Sequence, residues 1–351
     1  MIDEDDLQAF REGIARVLEG AADRTQLHAH LDGELALDRT LWEQAAELGW
    51  LAIGLPEEAG GLGFGAQGLD ILHRELGRCA APGPFIASLA AAQVLAETAD
   101  SDVKDSWLPR LASGEAKLAV AARIADGPAG KDSWLLGDAN SDAALIPLAT
   151  GDWGLVGLEG GQPVELWDRT RSVLTADIDS VAPLAVLDGE ATSRALTRHL
   201  CLAIASDSIG AARAITEITV AYMKEREQFG KPIASFQALK HRVADMMTMI
   251  VAGEELVSLA VQSADAADPD ADIWSSLAKV RASDIFVHVS NEALQMHGGV
   301  GFTWEFDVHA FLMRSRLNEL LVAHNHELRD RAADGFAQAL EEGRQVLELA
   351  L

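Results

Sequence analysis

The spacing of apolar residues changes twice along this chain of 351 residues, and this change constrains the fold more than any single motif. Residues 5–114 carry apolar side chains at the three- and four-residue spacing of amphipathic helices. Residues 117–188 carry short apolar runs separated by glycine, aspartate and asparagine, a pattern typical of strands. The helical spacing returns at residues 190–351. Because the strands are confined to one middle block, the pattern excludes an alternating βαβ sheet and predicts a mostly α-helical protein with a small β domain.

Individual elements can be predicted within these blocks. Pro56–Gly63 is predicted to be a loop, and Leu108-Pro109 is predicted to open a short helix. The predicted strands are 117–121, 144–148, 153–158, 173–175 and 184–187. The predicted helices of the last block are 191–224, 236–265, 272–297 and 307–349. The predicted domains are an N-terminal helical domain at 1–115, a β domain at 116–188 and a C-terminal helical domain at 189–351.

Charge and composition narrow the classes of function. The chain has 28 basic and 55 acidic residues, and its net charge of −27 has the wrong sign for nonspecific binding to nucleic acid or to anionic membranes. Its 49% apolar and 24% charged residues are typical of a globular protein. No apolar run is long enough to span a bilayer, and the acidic first residues are unlike a secretory signal peptide. Cys79 and Cys201 lie far apart, so we expect no disulfide framework and predict a soluble cytoplasmic protein without nucleic-acid binding or membrane insertion.

The candidate ligand-binding residues lie in two breaks between the helices of the last block. Residues 226–233 read Arg-Glu-Gln-Phe-Gly-Lys-Pro-Ile, and residues 295–302 read Gln-Met-His-Gly-Gly-Val-Gly-Phe. A Gly-Gly-x-Gly turn exposes backbone N–H groups, and a nearby arginine adds a fixed positive charge. This combination suits a pyrophosphate. The alternative is that Arg226 only ends a helix and that the glycines only form a helix–helix loop.

Together with other local motifs, the two breaks give the chain a resemblance to the acyl-CoA dehydrogenase family. The helix–strand–helix order matches along nearly the whole length. The matching motifs are Glu47-Leu48-Gly49-Trp50-Leu51, Pro56-Glu57-Glu58-Ala59-Gly60-Gly61-Leu62-Gly63, Arg226-x-Gln228-Phe229-Gly230, Phe236-Gln237, Ala244-Asp245-Met246 and Gln295-x-x-Gly298-Gly299-x-Gly301-Phe302. The resemblance implies an N-terminal helical domain, a middle β domain that is shortened here, and a C-terminal four-helix bundle. It also implies FAD as cofactor and the oxidation of acyl-CoA thioesters to enoyl-CoA, in which a glutamate removes the α proton and the flavin N5 accepts the β hydride.

The resemblance further implies which residues contact FAD. In the family, these groups reach across a dimer interface to the FAD of the neighbouring subunit. Arginine pairs with phosphate oxygens in bidentate fashion, and glycine lets the backbone approach closely. The residues placed beside the pyrophosphate and adenine are Arg226, Gln228, Phe229 and Gln237 from the first break, and Gln295, Gly298, Gly299 and Gly301 from the second. His297, beside these glycines, is expected to be partly exposed.

The chain departs from the family where the flavin ring is held. Family members carry a Thr-Glu-Pro-like motif followed by Gly-Ser-Asp in the β domain. Residues 121–128 of this chain read Ala-Ala-Arg-Ile-Ala-Asp-Gly-Pro instead. We therefore expect that this chain does not cradle a flavin ring by itself.

The catalytic glutamate is missing from both positions that it occupies in the family. The first position falls at Val322 or Ala323 and the second near Leu200. None of these side chains can accept a proton. Glu319, about one helical turn before the first position, is a candidate substitute, and Asp207, about two turns after the second, is another.

The arginine that helps to bind acyl-CoA in the family is also replaced. Its position falls near Cys201, so Arg198 or His199 would have to substitute, and we favour a degenerate acyl-CoA site instead. His324 and His326 have a spacing that a metal could use. Side chains at i and i+2 of a helix face different ways, so no metal site is predicted.

The retained and missing groups together predict one subunit of a heteromer. The groups that would act on the chain's own flavin are missing, and those that would reach a neighbour's flavin remain. We predict the base-lacking subunit of an α2β2 acyl-CoA dehydrogenase, in which a homologous catalytic chain is the partner, as in actinobacterial enzymes that degrade steroid side chains and rings. The expected substrate is a bulky, steroid-derived CoA thioester, and the expected electron acceptor is electron-transfer flavoprotein. Two alternatives stay open: a self-sufficient homo-oligomeric dehydrogenase with Glu319 as base, and a non-enzymatic scaffold of the same fold.

Overall fold

A computed structural model of the protein describes residues 4–124, 129, 133–178, 181–303 and 306–344. Most of these residues are helical, and a seven-stranded sheet lies between two helical regions along the chain. The predicted fold class, mostly α-helical with a small β domain, is confirmed. The domain boundaries near residues 115 and 188 stay predictions. No helix within the described ranges combines the length and the apolarity that crossing a bilayer requires.

Within residues 4–124, six α-helices precede the sheet. Apolar side chains of the first, third and fourth helices share one core, in which Ile14, Leu41 and Leu72 are buried. These side chains recur at helical spacing because each helix turns one stripe inward. The helices are α1 Glu4–Ala21, α2 Arg24–Leu31, α3 Leu37–Glu47, α4 Gly65–Arg78, α5 Phe85–Thr98 and α6 Ser101–Ala112.

The last of these helices begins earlier than the sequence predicts. The carboxylate of Asp100 accepts a hydrogen bond from the backbone N–H of Val103 at 3.0 Å and so caps the start of α6. Pro109 lies inside α6, near its end. The prediction that Leu108-Pro109 opens a helix was therefore wrong, because the aspartate cap is the stronger start signal. The predicted loop at Pro56–Gly63 contains only a short 3₁₀ turn.

The sheet is mixed and buried on both faces. Ala119 packs into one apolar cluster, and its neighbours Leu118 and Val120 pack into another. The strands are β1 Leu118–Ala121, β2 Leu135–Leu136, β3 Ala143–Pro147, β4 Trp153–Gly157, β5 Gln162–Pro163, β6 Val173–Thr175 and β7 Ala185–Leu187, in the order β5-β6-β2-β1-β3-β4-β7. The β1–β3 pair is parallel, and the other neighbours are antiparallel. The five predicted strands are present, whereas β2 and β5 were missed because two residues are too few to show a period.

Five helices and a small hairpin follow the sheet within the described residues. The longest helix, α7, packs along α9, and Ile209, Ile285 and Phe286 are buried between them and their neighbours. These elements are α7 Gly189–Glu225, the hairpin strands β8 Glu227–Gln228 and β9 Lys231–Pro232, α8 Gln237–Asp265, α9 Ala271–His297, α10 Val308–Leu320 and α11 Asn325–Glu341.

The predicted single helix at 307–349 was wrong, because the chain breaks between α10 and α11. Val322 has a φ of 73°, a left-handed value that strains a β-branched residue. Its N–H donates to the carbonyl of Ala122, and its own carbonyl accepts from the N–H of Ile124, both at 2.9 Å. This pairing with the end of β1 interrupts the helix, and no local sequence pattern encodes it.

The residues after the break start a new helix. His324 is the N-cap of α11 and forms a capping box with Glu327. The rings of His324 and His326 stack with centroids 5.6 Å apart. The expectation that they face different ways was wrong, because His324 lies outside the helix. Among the described residues, no group of three or more His, Cys, Asp or Glu side chains is placed to hold a metal ion.

A buried ionic cluster joins the sheet to helices of both regions. Asp207 of α7 accepts hydrogen bonds from Arg314 at 2.5 Å and from Arg171, in the loop before β6, at 2.7 Å. Asn318 of α10 adds a third donor at 2.8 Å. Arg314 also donates to the carbonyl of Ala81, between α4 and α5, at 3.1 Å. Four parts of the chain are thus held by charges that water cannot reach.

Candidate functional site

A tight hairpin occupies the first predicted break. Phe229 and Gly230 form the two-residue turn between β8 and β9. Their φ values are 56° and 79°, and a type I′ turn requires positive φ at both positions. Phe229 is 91% exposed, although its ring meets that of Phe236 edge-on at 6.0 Å. A phenylalanine held in a left-handed turn and turned to solvent packs against little of its own chain.

The glycine turn of the second break begins where α9 ends. Gly298 has φ 62° and ψ −141°, a backbone conformation that other residues rarely adopt. A Cβ placed on Gly298 or Gly299 would meet no atom within 4 Å. At Gly301, a Cβ would lie 3.0 Å from side-chain atoms of His297 and Leu294. The first two glycines therefore leave their backbone open to approach, and the third lets the turn pack onto α9.

The hairpin and the glycine turn are linked through aromatic contacts. Tyr222 lies one helical turn before Arg226, and its ring stacks on that of His297 with centroids 4.3 Å apart. Phe306 meets both rings edge-on at 5.6 Å. The end of α7 and the end of α9 are thereby held together. The two breaks, which the sequence motifs associate with one binding site, are therefore also close together in the structure.

The hairpin and the start of α8 are basic in an acidic chain. Residues 224–242 contain five lysines or arginines and two glutamates, a local net charge of +3, against −27 for the whole chain. Arg242 pairs with Glu292 of α9 at 3.1 Å. Arg226 is exposed, and no carboxylate in the described part of the chain forms an ion pair with it. This charge excess could be counted in the sequence and was missed there.

The predicted glutamines are exposed as well. Gln228 and Gln295 lie at the surface, and Gln237 begins α8 with its Oε1 3.1 Å from Nε2 of His241. We call the exposed residues of 226–242 and 295–299 the hairpin–glycine surface. Seven of the eight predicted FAD contacts lie on it, and Gly301 is the buried exception.

His297 is buried, so the expectation of partial exposure was wrong. The residue is 3% exposed because Tyr222 and Phe306 cover its ring. Its Nδ1 donates to the carbonyl of Ala293 at 2.8 Å, which leaves the lone pair on Nε2. Nε2 is buried without a hydrogen-bond partner among the described residues. Burial lowers the pKa of His297.

The two positions of the missing glutamate lie in a different environment. Leu200 is 1% exposed, and Val322 and Ala323 are fully buried. All three belong to one apolar cluster with side chains of α5 and β1. We call this cluster the base-position core. No water-exposed side chain replaces the missing carboxylate at these three positions.

Residues 121–124, the described part of the β-domain stretch without the flavin motif, lie against this core. Ala121 and Ala122 belong to the same apolar cluster, and Ile124 donates to the carbonyl of Val322 at 2.9 Å. The backbones are therefore in direct contact at this point. The remaining residues of the stretch, 125–128, lie outside the described residues.

The buried Lys279 holds the chain in place at the break between α10 and α11, next to the base-position core. The Nζ of Lys279 on α9 donates to the carbonyl of Glu319 at 2.9 Å, to that of Ala323 at 3.3 Å and to Oδ1 of Asn325 at 2.8 Å. Burial lowers the pKa of Lys279 to about 8. All three of its donors are engaged, so Lys279 holds the end of α10 in place.

Neither carboxylate considered as a substitute base faces an open site. The side chain of Glu319 is 36% exposed and lies 3.4 Å from Arg316. Although burial alone would raise it, the charges of Arg171 and Arg314 hold the pKa of Asp207 far below its usual range. Asp207 is engaged in the ionic cluster, and Glu319 is paired at the surface.

The substitutes for the acyl-CoA arginine are also engaged. Arg198 donates to Glu97 at 2.6 Å and to Asp272 at 2.8 Å, and His199 lies 2.6 Å from Glu97. Cys201 is buried in the base-position core, and burial raises its pKa to about 12. These contacts give no indication of a thioester site.

A charged groove of about 790 Å³ lies elsewhere, between α1, α4, α7 and α8. Its arginines face acidic partners, as in the 2.5 Å contact between Arg213 and Glu254 and the 2.7 Å contact between Arg74 and Asp70. The groove is not lined by the hairpin, the glycine turn or the base-position core. Each of its four arginines is already paired with a carboxylate of the same chain.

The described residues fit one half of FAD, the cofactor that the resemblance implies. The hairpin–glycine surface offers an unpaired arginine, glycine backbone with no side chain in front of it, and a local positive charge. These are the groups that bind a pyrophosphate. The base-position core offers apolar contacts only. The described residues therefore fit the nucleotide half of FAD, with its pyrophosphate.

Two family models match the sequence: "Acyl-CoA dehydrogenase, N-terminal domain" at residues 4–115 and "Acyl-CoA dehydrogenase, C-terminal domain" at residues 191–322. The acyl-CoA dehydrogenase IpdE2 of Mycobacterium tuberculosis is 31% identical over 343 residues, which cover 97% of this chain and 94% of that protein. Among solved structures, a variant of the Tcur3481-Tcur3483 steroid ACAD has a TM-score of 0.84 and 26% identity, and the match covers 96% of this chain and 99% of that one. The ChsE4-ChsE5 complex from Mycobacterium tuberculosis has a TM-score of 0.84 over 96% of this chain and 98% of that one, and at 22% identity this likeness concerns the fold.

Proposed function

Because this chain belongs to the acyl-CoA dehydrogenase family, whose members are FAD-dependent oxidoreductases acting on acyl-CoA, we propose that it is the base-lacking subunit of a heteromeric enzyme. In this proposal, a homologous catalytic chain holds the flavin ring and supplies the base. The present chain completes the FAD site of that partner. The assembly is an α2β2 heterotetramer.

The contrast between the two sites carries the proposal. The hairpin–glycine surface is exposed and basic, and Arg226 lacks an ion-pair partner in the described chain. Leu200, Val322 and Ala323 are buried among apolar side chains. A chain that worked alone would need both an FAD-contacting surface and a proton acceptor. This one retains only the surface.

Within the heteromer, four residues of the surface have proposed binding roles. FAD, when bound, supplies the acceptor for the hydride that leaves the β carbon of the acyl-CoA. Arg226 pairs with pyrophosphate oxygens, and the N–H groups of Gly298 and Gly299 approach the same oxygens. Phe229, already turned outward, packs against the adenine or the partner chain.

The proposed substrate is a CoA thioester of a steroid-derived acid. The name of the Tcur3481-Tcur3483 steroid ACAD supports this class, since that structure is 26% identical over nearly the whole chain. The same name pairs two components, which supports the heteromer. Electron-transfer flavoprotein is the proposed electron acceptor, as the family resemblance implies.

The proposal is tested by co-expression with a homologous dehydrogenase chain and assay of acyl-CoA oxidation. We expect turnover by the complex and none by this chain alone. Replacing the partner's catalytic glutamate by glutamine should abolish turnover, whereas Glu319→Gln in this chain should leave it unchanged. Turnover by the purified chain alone would contradict the proposal.

The same assay separates the two alternatives. If Glu319 is the base of a self-sufficient enzyme, Glu319→Gln abolishes turnover and leaves FAD bound. If the protein is a scaffold that binds no flavin, its complexes lack flavin absorbance. The side chain of Glu319 lies 3.4 Å from Arg316 and is 36% exposed, a position that does not favour it as the base.

A further inference from the structure

The imidazole of His297 has one nitrogen that no group of the described chain satisfies. Its Nδ1–H donates to the carbonyl of Ala293 at 2.8 Å, so the neutral ring keeps a bare lone pair on Nε2. That atom is buried and has no hydrogen-bond partner among the described residues. A buried polar atom without a partner is unusual in a folded protein and often marks a group used by a ligand.

The position of His297 indicates which ligand would use it. The residue directly precedes Gly298 and Gly299, whose backbone is open to approach. Since consecutive Cα atoms are about 3.8 Å apart, the imidazole lies within one side-chain length of the glycine N–H groups. Through Tyr222 it also contacts the helix that ends at Arg226. It is therefore adjacent in the chain to the glycine turn and in contact with the helix whose end carries Arg226.

We expect a ligand bound beside His297 to determine whether its imidazole is charged. Two aromatic side chains of the described residues pack on it, Tyr222 from α7 and Phe306 from the segment before α10, and both are uncharged. Arg24 of α2 lies over the ring of Phe306 at 5.3 Å, and it is paired with Asp307 at 3.4 Å. Burial lowers the pKa of the imidazole, and no carboxylate in the described part of the chain raises it. An anion arriving beside it would raise this pKa.

We propose that His297 is a proton-linked positioning residue, which takes up a proton when the pyrophosphate of FAD binds at the hairpin–glycine surface. Protonation converts Nε2 from an unpartnered acceptor into a donor, while Nδ1–H stays on the carbonyl of Ala293. The imidazolium then adds a second positive charge to that of Arg226. This inference rests on the proposed function, because it concerns the FAD that the surface would contact.

The test is isothermal titration of FAD into the flavin-free heteromer, in buffers of different ionisation enthalpy between pH 5.5 and 8. The pyrophosphate of FAD does not titrate in this range, so proton uptake on binding comes from the protein. We expect net uptake of up to about one proton per FAD, and an affinity that falls by up to about tenfold for each unit of rising pH. His297→Phe, which keeps the stacking on Tyr222, should abolish both effects, and His297→Gln should do the same.

His241 provides the matched control, since it is the exposed histidine of the hairpin–glycine surface, with its Nε2 3.1 Å from Oε1 of Gln237. His241→Gln should leave proton uptake unchanged. FAD binding without proton uptake, or uptake that persists in both His297 variants, would overturn the role of His297 and leave the proposed function standing. Absence of FAD binding at every pH would instead contradict the proposed function, and the role of His297 with it.

Discussion

The hairpin–glycine surface and the base-position core belong to the same chain but differ in almost every physical property. The surface is exposed and locally basic, and it keeps backbone conformations that glycine alone adopts easily. The core is dry, apolar and closed by direct backbone hydrogen bonds between Val322 and the end of β1.

This difference separates the residues proposed to bind FAD from the positions at which the family carries its catalytic base. Exposed groups such as Arg226 contribute little to the stability of their own chain and are accessible to an external partner. Buried apolar groups such as Leu200 contribute to stability and need no partner. Substitutions on the surface should therefore affect FAD, and substitutions near the core should affect folding.

The largest expected effect is on the free energy of unfolding, and it comes from the ionic cluster beside the base-position core. Asp207→Leu would leave Arg171 and Arg314 buried without a counter-charge, so we expect the free energy of unfolding to fall by about 3–5 kcal/mol. The matched control is Glu43→Leu, which breaks the exposed pair with Arg39 and should cost about 0.5 kcal/mol or less. Chemical denaturation measures both. Equal losses in the two variants would show that the buried cluster does not stabilise the fold.

The next largest effect is on the pH dependence of folding stability. His73, on α4 near this cluster, is 2% exposed, and burial lowers its pKa from 6.5 to about 4. Between these values the unfolded chain binds more protons than the folded chain. The contribution of His73 to stability is therefore present above pH 6.5 and is lost as the pH falls to 4, by about 3 kcal/mol. Denaturation curves over this range should show that His73→Gln reduces the acid sensitivity and that His241→Gln on the exposed surface does not. An unchanged pH dependence in His73→Gln would refute this.

The third effect appears only in ligand binding. Arg226→Gln removes the charge proposed to pair with the pyrophosphate, so FAD should bind the heteromer about ten- to hundredfold more weakly. The stability of the chain should change by less than about 0.5 kcal/mol. Arg39→Gln, which breaks only the exposed pair with Glu43, should leave FAD binding unchanged and cost about 0.5 kcal/mol of stability or less. Wild-type FAD affinity in Arg226→Gln would remove this residue from the site.

The smallest effects distinguish two glycines of the same turn. Gly301→Ala would place a Cβ 3.0 Å from atoms of His297 and Leu294, and we expect a loss of about 1–2 kcal/mol in stability. Gly299→Ala would meet no atom within 4 Å and should leave stability nearly unchanged. It should still weaken FAD binding several-fold, because a methyl group would stand where the ligand approaches. Thermal unfolding and FAD titration of the two variants test this, and a reversed pattern would contradict it.

The sequence predicted the order of the helical and β blocks, and its resemblance to a family named the residues of the hairpin–glycine surface that are proposed to contact FAD. These predictions came from local patterns, such as the glycines at 298–301 and the arginine at 226. The break at Val322, the burial of His297 and the engagement of Lys279 could not be predicted in this way. Each depends on contacts between residues far apart in the chain, which local spacing does not encode. Whether the surface binds FAD stays a prediction.

The ratio of bound FAD to chain, measured by flavin absorbance, tests the central claim most directly. We predict little or no FAD on this chain purified alone, and about one FAD for every two chains in the complex with a homologous catalytic subunit, because the claimed site is shared. Arg226→Gln in this chain should lower the flavin content of the complex. One tightly bound FAD per chain in the isolated protein would contradict the account.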